Sequence, residues 1–284
     1  MENSIKLLFV CFLLAILSCG RKDGDTASCI PSALQSDVIA FYPFSNGMLD
    51  DLSGNNQDLT NTTTASATED RNGNANCAYE FHNSLTVNDF LIRSNPTFLN
   101  GLTEFSVSLW YETLDPLRNH QNIANPESVW ETLISRDALS NYSVPLLNVV
   151  CPDRTGQWSI NLYDCRRAVF GRTNSVWDIS ILGVSNCAQE VPLRTDTTWH
   201  HLVATFSQSA NKMAIYRDGL LQESKDLADP GCFTITPIFD IGDLFLGRFY
   251  RGKMDDVIIF KKELTQSEVT SVYNMTTCCE TTEL

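Results

Sequence analysis

The chain has 284 residues, and its 34 acidic and 20 basic side chains give it a formal net charge of −14 at pH 7. Hydrophobic residues make up 43% of the sequence and aromatic residues 10%, which is enough to form a core and excludes disorder caused by low hydrophobicity. No cluster of Lys or Arg interrupts the acidic balance. We therefore exclude nucleic acid as a partner, because its phosphates require a basic patch.

Residues 1–19 are typical of an export signal. Lys6 supplies a positive charge, and residues 7–17 form an apolar run shorter than the about 20 residues of a membrane-spanning helix. The run leads to Ser18-Cys19-Gly20, which resembles a bacterial lipobox, in which the cysteine is acylated and becomes the new N-terminus. This motif predicts an exported protein, anchored by lipid on Cys19 to the bacterial outer membrane and displayed at the cell surface. Ordinary secretory cleavage, which leaves Cys19 as a thiol, is the alternative.

The remaining cysteines predict disulfide bonds. Of the ten in the chain, Cys11 lies in the export signal and Cys19 takes the lipid. An even number in an exported chain indicates a disulfide framework, whereas zinc is disfavoured because no CxxC spacing occurs. Domain termini often lie close together, so we expect Cys29 to bond to the adjacent pair near the C-terminus, and the other pairings stay open. The eight cysteines are Cys29, Cys77, Cys151, Cys165, Cys187, Cys232, Cys278 and Cys279.

The next segments along the chain predict a tether followed by strands. Residues 20–28 are small and polar, as in a flexible tether between a lipid and a folded domain. From Val38 onward, apolar and polar residues alternate, which is typical of strands that place one face on a core. Residues 105–110 and 201–206 show the alternation most clearly.

The strongest turn signal is the dipeptide Asp218-Gly219. Asp and Gly tolerate the positive φ angles that a two-residue type I′ turn requires. The flanking residues 213–217 and 220–224 are therefore expected to form a β-hairpin.

A single helix is predicted near the end of the chain. Thr265 and Glu268 have the spacing of a capping box, and Leu264 and Val269 have that of a hydrophobic staple around it. Many short strands followed by one late helix predict an all-β sandwich, formed as one domain over residues 29–284.

Two groups of sequence blocks carry a resemblance to a known family. The first group consists of IAFYPFSNGMLDDLSGN at 39–55, DRNGNA at 70–75, AYEF at 78–81 and FSVSLW at 105–110. The second consists of TWHHLVATF at 198–206, IYRDG at 215–219, GKMDDVIIF at 252–260 and LTQSE at 264–268. In this order and spacing the chain resembles the laminin-G-like, concanavalin A-like jelly-roll domains. The resemblance implies an all-β concanavalin A-like jelly-roll β-sandwich of two antiparallel sheets with one short C-terminal helix. Residues 115–195 lie outside it and are expected to be an insertion or extended loops.

The resemblance also implies a calcium ion. Members of the family often hold calcium near the chain ends, and the matching loop falls on Asp51 and Asn55, with Asp255 opening the last strand and Asn46 nearby. Calcium takes 6–8 oxygen ligands from carboxylates and loop carbonyls, so these residue types are suitable. The alternative is that Asp51 begins a plain Asx turn and that Asp255 is a solvated residue at a strand start.

No catalytic constellation is found in the sequence. Glycosidases on this type of fold need a pair of carboxylates on one strand face, and the nearest pair, Asp240 and Asp243, has the wrong parity. His200 and His201 lie on a strand that matches the family core, which favours a packed or hydrogen-bonded role. We therefore expect a protein that is not an enzyme.

Aromatic residues in the unmatched stretch are the candidates for ligand binding. Sugar rings stack on aromatic side chains through their apolar C–H faces, although aromatic residues equally often fill a core. Trp110 and Trp199 lie on matched strands, where a core role is favoured. The candidates are Trp130, Trp158, Trp177, Tyr142 and Tyr163.

These features lead to one main hypothesis and two alternatives. The main hypothesis is a lipid-anchored, non-catalytic module that binds an extracellular glycan, with calcium in a structural role. The first alternative is a protein–protein adhesion or surface-assembly module, whose partner is a surface protein. The second is a divergent glycan hydrolase or lyase.

Overall fold

The predicted β-sandwich is confirmed. A computed structural model describes residues 29–84, 86–114, 130–137, 158–163, 167–172, 177–180, 197–210, 212–226 and 242–279. Within these residues the chain forms fifteen β-strands in two antiparallel sheets and one α-helix, α1 (Gln266–Tyr273). Three short 3-10 turns also occur, at Gln35–Asp37, Ser45–Gly47 and Thr97–Leu99.

The first sheet has eight strands and is built around the last one. Its members are β1 (Val38–Tyr42), β3 (Ser66–Thr68), β4 (Ala78–His82), β6 (Glu104–Thr113), β11 (Trp199–Ser207), β12 (Lys212–Arg217), β13 (Leu220–Asp226) and β15 (Arg251–Phe260). Their order is β13-β12-β11-β6-β15-β4-β3. On the side away from β6, β15 pairs first with β4 and, after an irregularity that follows Asp255, with β1.

The second sheet has seven strands in the order β10-β9-β8-β7-β14-β5-β2. Its members are β2 (Thr60–Asn61), β5 (Leu91–Arg93), β7 (Trp130–Asp137), β8 (Trp158–Tyr163), β9 (Arg167–Arg172), β10 (Trp177–Ser180) and β14 (Asp243–Leu246). Four of these strands come from residues 115–195. The described parts of that stretch are therefore strands of the sandwich itself, which corrects the expectation of an insertion or of loops for those residues.

The core lies between the two sheets. On β6, Phe105, Val107 and Leu109 point into it, as the alternation predicted, and the apolar residues of β11 do the same. The ring of Phe105 lies 5.5 Å from that of Phe206 and 5.3 Å from that of Trp158, so the two sheets meet through aromatic contacts. Each large side chain buried in this way contributes roughly 1.5–3 kcal/mol.

The outer face of the first sheet is covered by both ends of the described chain. Ile30 and Leu34 from the N-terminal segment pack with Val269 and Val272 of α1 in a second apolar cluster. The predicted capping box is present, because the Glu268 amide donates to the Thr265 hydroxyl and the Thr265 amide donates to the Glu268 carboxylate. The helix therefore begins where the sequence indicates and lies on the sheet.

Two disulfide bonds hold this cover in place. Cys29 is bonded to Cys278, with 5.6 Å between their Cα atoms, and Cys77 is bonded to Cys279, with 5.5 Å. The adjacent pair thus joins the N-terminal segment to the start of β4. The other four predicted disulfide cysteines, Cys151, Cys165, Cys187 and Cys232, lie outside the described residues.

The predicted hairpin is also confirmed. Asp218 and Gly219 have φ angles of 51° and 79°, as the type I′ turn requires. The side chain of Gln266 on α1 donates to the Gly219 carbonyl at 2.6 Å and accepts from the Leu221 amide at 3.2 Å. The turn is therefore fixed to the helix.

The described residues contain no helix that is both long and apolar enough to span a membrane. The export signal, the lipidated Cys19 and the tether at residues 20–28 lie outside the described residues.

We predict that Gly219→Ala destabilises the fold by more than its backbone strain alone. A Cβ atom at this position would lie 2.9 Å from the ring of Tyr273, in addition to the about 1–2 kcal/mol cost of a left-handed conformation. Gly54→Ala is the matched control, because Gly54 has a φ of +84° and open space around it. Urea unfolding measures both variants. Equal losses of stability in the two variants would contradict the assigned contact.

Candidate binding surface

The outer face of the second sheet carries a row of polar side chains. On β8, Ile160 and Leu162 point into the core, which leaves Ser159 and Asn161 on the opposite face. Asn161 pairs in register with Thr132 of β7, whose hydroxyl donates to the Asn161 side-chain oxygen at 2.8 Å. The Asn161 amide donates in turn to the Ser159 hydroxyl at 2.8 Å.

Ser135 extends this row to the neighbouring strand. It pairs in register with Ser159 on one side and with Phe245 of β14 on the other. Its hydroxyl is buried and has no hydrogen-bond partner among the residues that the structure describes. Leaving such a group unpaired costs about 1–3 kcal/mol, which a ligand hydroxyl or amide would recover.

Three aromatic rings and an arginine border the polar row. Phe245 is buried on the outer face and meets the edge of the half-buried Phe90, with 5.4 Å between ring centroids. The guanidinium of Arg248 lies 5.3 Å from the Phe245 ring and 4.8 Å from the Phe249 ring. Arg248 and Phe249 are both half-buried, so each presents part of its surface to solvent.

The turn between β14 and β15 places Arg248 and Phe249. The amide of Thr132 donates to the Arg248 carbonyl at 2.9 Å, and the side chain of Asn83 donates to the carbonyls of Gly247 and Tyr250. Phe249 has a φ of 61°, a left-handed conformation that costs a bulky residue about 1–2 kcal/mol. Strain of this kind is often found at functional sites.

We define the candidate binding surface as the polar row together with its aromatic border. This arrangement places hydroxyl, amide and guanidinium groups beside apolar rings, which is the chemistry needed to recognise a polar ligand that has apolar faces. Sequence reasoning missed its aromatic members, since Phe245 lies in an unbroken apolar run and Phe249 in a turn. The members are Phe90, Thr132, Ser135, Ser159, Asn161, Phe245, Arg248 and Phe249.

The aromatic residues that the sequence offered for binding are not brought together in this way. Trp158 is 4% exposed and packs on Phe105 in the core, which corrects its expected role in ligand binding. Trp130 and Tyr163 are opposite each other in the register of β7 and β8, next to the polar row. Trp177 begins β10, and Tyr142 lies outside the described residues.

Asp51, the first expected calcium ligand, is occupied by hydrogen-bond donors. One carboxylate oxygen accepts from the amides of Phe41 and Ser53, both at 2.9 Å. The other accepts from the Ser53 hydroxyl at 2.8 Å and the Gln57 amide at 2.9 Å. The carboxylate therefore fixes the loop to β1 as an Asx-type turn, and the side chain of Asn55 donates to the Ser53 hydroxyl.

Asp255, the second expected carboxylate ligand, is paired with an arginine. The Arg71 guanidinium makes ion pairs with Asp255 and, at 2.8 Å, with Asp256, and all three side chains are buried. Burial raises the pKa of both carboxyls, and the proximity of Asp256 raises that of Asp255 further. As the structure has them, these residues do not fit a calcium site, because a guanidinium occupies the position of a cation. Asn46, the remaining candidate, lies in the 3-10 turn that follows β1.

Trp110 is part of a closed aromatic cluster on the outer face of the first sheet. Arg71 lies 4.5 Å from its ring on the sheet, Tyr273 of α1 stacks on it at 5.7 Å, and His201 lies 5.1 Å away. His201 is 1% exposed, and its Nε2 lies 2.8 Å from the Ser108 hydroxyl. Burial, assisted by the charge of Arg71, lowers the pKa of His201 to about 3. The packed role that the sequence favoured for His201 agrees with this geometry.

His200 has a hydrogen-bonded role at the hairpin. Its Nδ1 lies 2.9 Å from the carboxylate of Asp218, which also accepts from the His201 amide at 3.0 Å. Burial opposes ionisation of Asp218, but these hydrogen bonds outweigh it and lower its pKa. Within the described residues no group of three or more His, Cys, Asp or Glu side chains is arranged to hold a metal ion.

Comparison with known families gives one match. The laminin G sequence profile of the concanavalin A-like lectin/glucanases superfamily matches residues 89–270, which extend from just before β5 into α1. Comparison with curated protein sequences gives no match.

Solved structures with the same fold are receptor-binding or binding domains of toxins. The binding domain of botulinum neurotoxin serotype D/C has a TM-score of 0.59 at 17% identity, covering 84% of this chain and 52% of that one. The binding domain of Paraclostridial Mosquitocidal Protein 1 has a TM-score of 0.60 at 16% identity, with coverages of 84% and 52%. The binding domain of botulinum neurotoxin DC in complex with rat synaptotagmin II has a TM-score of 0.58 at 16% identity, with coverages of 85% and 52%. The chain thus spans about half the length of these structures, and the likeness shows the fold.

We predict that His201 makes the fold less stable in mild acid. The unfolded chain binds a proton at His201 near pH 6.5, whereas the folded chain does not bind it until about pH 3. Stability is therefore lost as the pH falls through this window, by about 2 kcal/mol between pH 6.5 and 5. Urea unfolding at several pH values should show this extra loss in the wild type relative to His201→Gln. His82→Gln, which changes an exposed histidine, should keep the wild-type slope. Parallel curves for the wild type and His201→Gln would contradict the prediction.

Calcium is tested by thermal unfolding. Since donors fill Asp51 and Arg71 neutralises Asp255, we expect the same unfolding temperature in excess calcium and in EDTA. Asp51→Ala should lower that temperature by the same amount in both buffers, because it removes the acceptor for four donors. A calcium-dependent rise that Asp51→Ala or Asp255→Ala abolishes would restore the calcium site, since a ligand at 100 times its Kd adds about 2.7 kcal/mol.

Proposed function

Because the chain belongs to the concanavalin A-like lectin/glucanases superfamily, we propose that it is a non-catalytic module that binds carbohydrate on the candidate binding surface. The observation that carries this proposal is the position of Arg248 and Phe249 beside the polar row of the second sheet. An aromatic ring offers a stacking surface for the C–H face of a sugar. The guanidinium donates several hydrogen bonds in a fixed geometry, which suits ring oxygens and hydroxyls.

The composition of this surface favours binding over hydrolysis. Its assigned polar groups are hydroxyls, one amide and one guanidinium. A glycosidase needs two carboxylates, about 5–5.5 Å apart for retention or 6.5–9.5 Å for inversion. Hydrolysis or lyase chemistry is the alternative that a product assay tests.

We further propose that the module acts outside the cytoplasm. The lipobox-like Cys19 would anchor it to the bacterial outer membrane, and residues 20–28 would hold the domain away from the lipid. Disulfide bonds persist in oxidising compartments, so the bonds of Cys29 and Cys77 support export. The partner would then be an extracellular glycan.

A protein partner is the second candidate, and an exposed apolar edge favours it. Leu220 and Leu221 open the edge strand β13, with 66% and 46% of their surfaces exposed. Exposed leucines on an unpaired edge are suited to contact with another protein. One structure of the same fold is of a binding domain in complex with rat synaptotagmin II, and that domain therefore has a protein partner.

We predict that Arg248→Ala weakens glycan binding at least tenfold. A hydrogen bond to a charged group contributes about 1.5–3 kcal/mol, and each 1.4 kcal/mol is tenfold in Kd. A glycan array identifies the ligand, and calorimetry then measures Kd. Arg251→Ala is the matched control, because Arg251 is an exposed arginine on the other sheet. Equal affinity of the two variants would remove Arg248 from the site.

A second variant separates binding from folding at the same turn. Phe249→Gly removes the ring while glycine accepts a φ of 61°, so binding should fall and the unfolding temperature should stay equal or rise. Sugar release from a polysaccharide would establish an enzyme instead. Failure on the array, together with a partner protein whose capture is lost in Leu220→Ser but kept in Arg248→Ala, would establish the protein partner.

A further inference from the structure

The C-terminal segment makes a continuous covalent connection between two distant parts of the sequence. Cys278 is bonded to Cys29 and its neighbour Cys279 is bonded to Cys77. Only one peptide bond separates the two disulfides. A path of covalent bonds therefore leads from the N-terminal segment, through this dipeptide, to the residue that precedes β4.

This path is far shorter than the backbone that it bypasses. The two disulfides span 5.6 Å and 5.5 Å between Cα atoms, and adjacent Cα atoms are about 3.8 Å apart, so the path measures about 15 Å. The backbone from Cys29 to Cys77 has about 48 residues and would extend to roughly 160–170 Å. The bypassed segment contains β1, β2 and β3.

The dipeptide is also seated on the first sheet by hydrogen bonds. The Cys278 amide donates to Asp256 at 3.3 Å, and the Thr277 hydroxyl donates to Asp70 at 2.8 Å. Asp256 is held in turn by Arg71 at 2.8 Å. The connection therefore lies against the place where β15 changes its partner from β4 to β1.

Without the disulfides, β1 would be the first element to carry a pulling force. β1 pairs only with β15, over four register positions, and it follows the N-terminal segment directly. A force that enters ahead of Cys29 would strip this strand from the sheet one hydrogen bond at a time. Covalent bonds do not yield at the forces that separate strands.

We propose that residues 277–279 form a load-bearing strap, which carries force from the anchored end of the chain past residues 30–76 and directly into β4. The proposal rests on the surface attachment put forward above, since a lipid anchor at one end and a bound partner at the other would place the domain under tension. The strap protects β1, β2 and β3 from that tension and leaves the candidate binding surface on the other sheet undisturbed.

Single-molecule pulling of the oxidised chain between tags at its two ends tests the strap. In the wild type the force passes from Cys29 to Cys278, so the domain should add no extension. Cys29→Ser/Cys278→Ser leaves the second bond, and the chain should lengthen by about 150 Å and then stop, because Cys77 passes the force to Cys279. Cys77→Ser/Cys279→Ser is the matched control and should behave as the wild type does.

Addition of a reductant to the wild type under constant force gives a test that needs no variant. Extension should begin only after the reductant is added and should exceed 150 Å, because both bonds are then open. Extension of the oxidised wild type would overturn the strap, as would a Cys29→Ser/Cys278→Ser variant that extends well past 150 Å before reduction. These readouts involve no ligand and no lipid. Failure of the strap is therefore distinct from failure of glycan binding, and from failure of anchoring, which Cys19→Ser tests in cell fractions.

Discussion

The ion pairs of Arg71 with Asp255 and Asp256 are the interaction on which much of this fold depends. Both carboxylates lie at the irregularity where β15 leaves β4 and joins β1, so two strands meet the same central strand there. Buried carboxylates are costly unless they are paired, and removing one partner of such a pair typically costs about 3–5 kcal/mol. Arg71 neutralises them and stacks on Trp110, which in turn receives Tyr273 from α1.

The two outer faces of the sandwich have different roles because the chain ends cover only one of them. On the first sheet, the N-terminal segment, α1 and the two disulfides form a closed cover over apolar residues. On the second sheet, the outer face between β8 and β14 is polar and bordered by aromatic rings. A closed face contributes stability, whereas a polar face with half-buried Arg248 and Phe249 provides chemistry for recognition.

Local signals were predicted well because each depends on residues that are close in sequence. Positive φ at Asp218 and Gly219 follows from the intrinsic preferences of those two residues, and the Thr265–Glu268 capping box spans one helical turn. The same locality explains why Asp51 was ambiguous. An Asp-x-Ser sequence is equally suited to a metal and to a turn, and only the amides of Phe41 and Gln57, distant in sequence, show that its oxygens are filled.

The sequence by itself determined the fold class, the strand alternation, the hairpin, the helix start and the presence of disulfides, because periodicity and short-range preferences carry that information. Tertiary structure alone decided that Trp158 is core, that Arg71 meets Asp255 across 184 positions of sequence, and that Phe249 joins Arg248 beside Asn161. It also decided which of two adjacent cysteines meets Cys29. Such contacts depend on strand register and on the order of strands in a sheet, which no local pattern specifies.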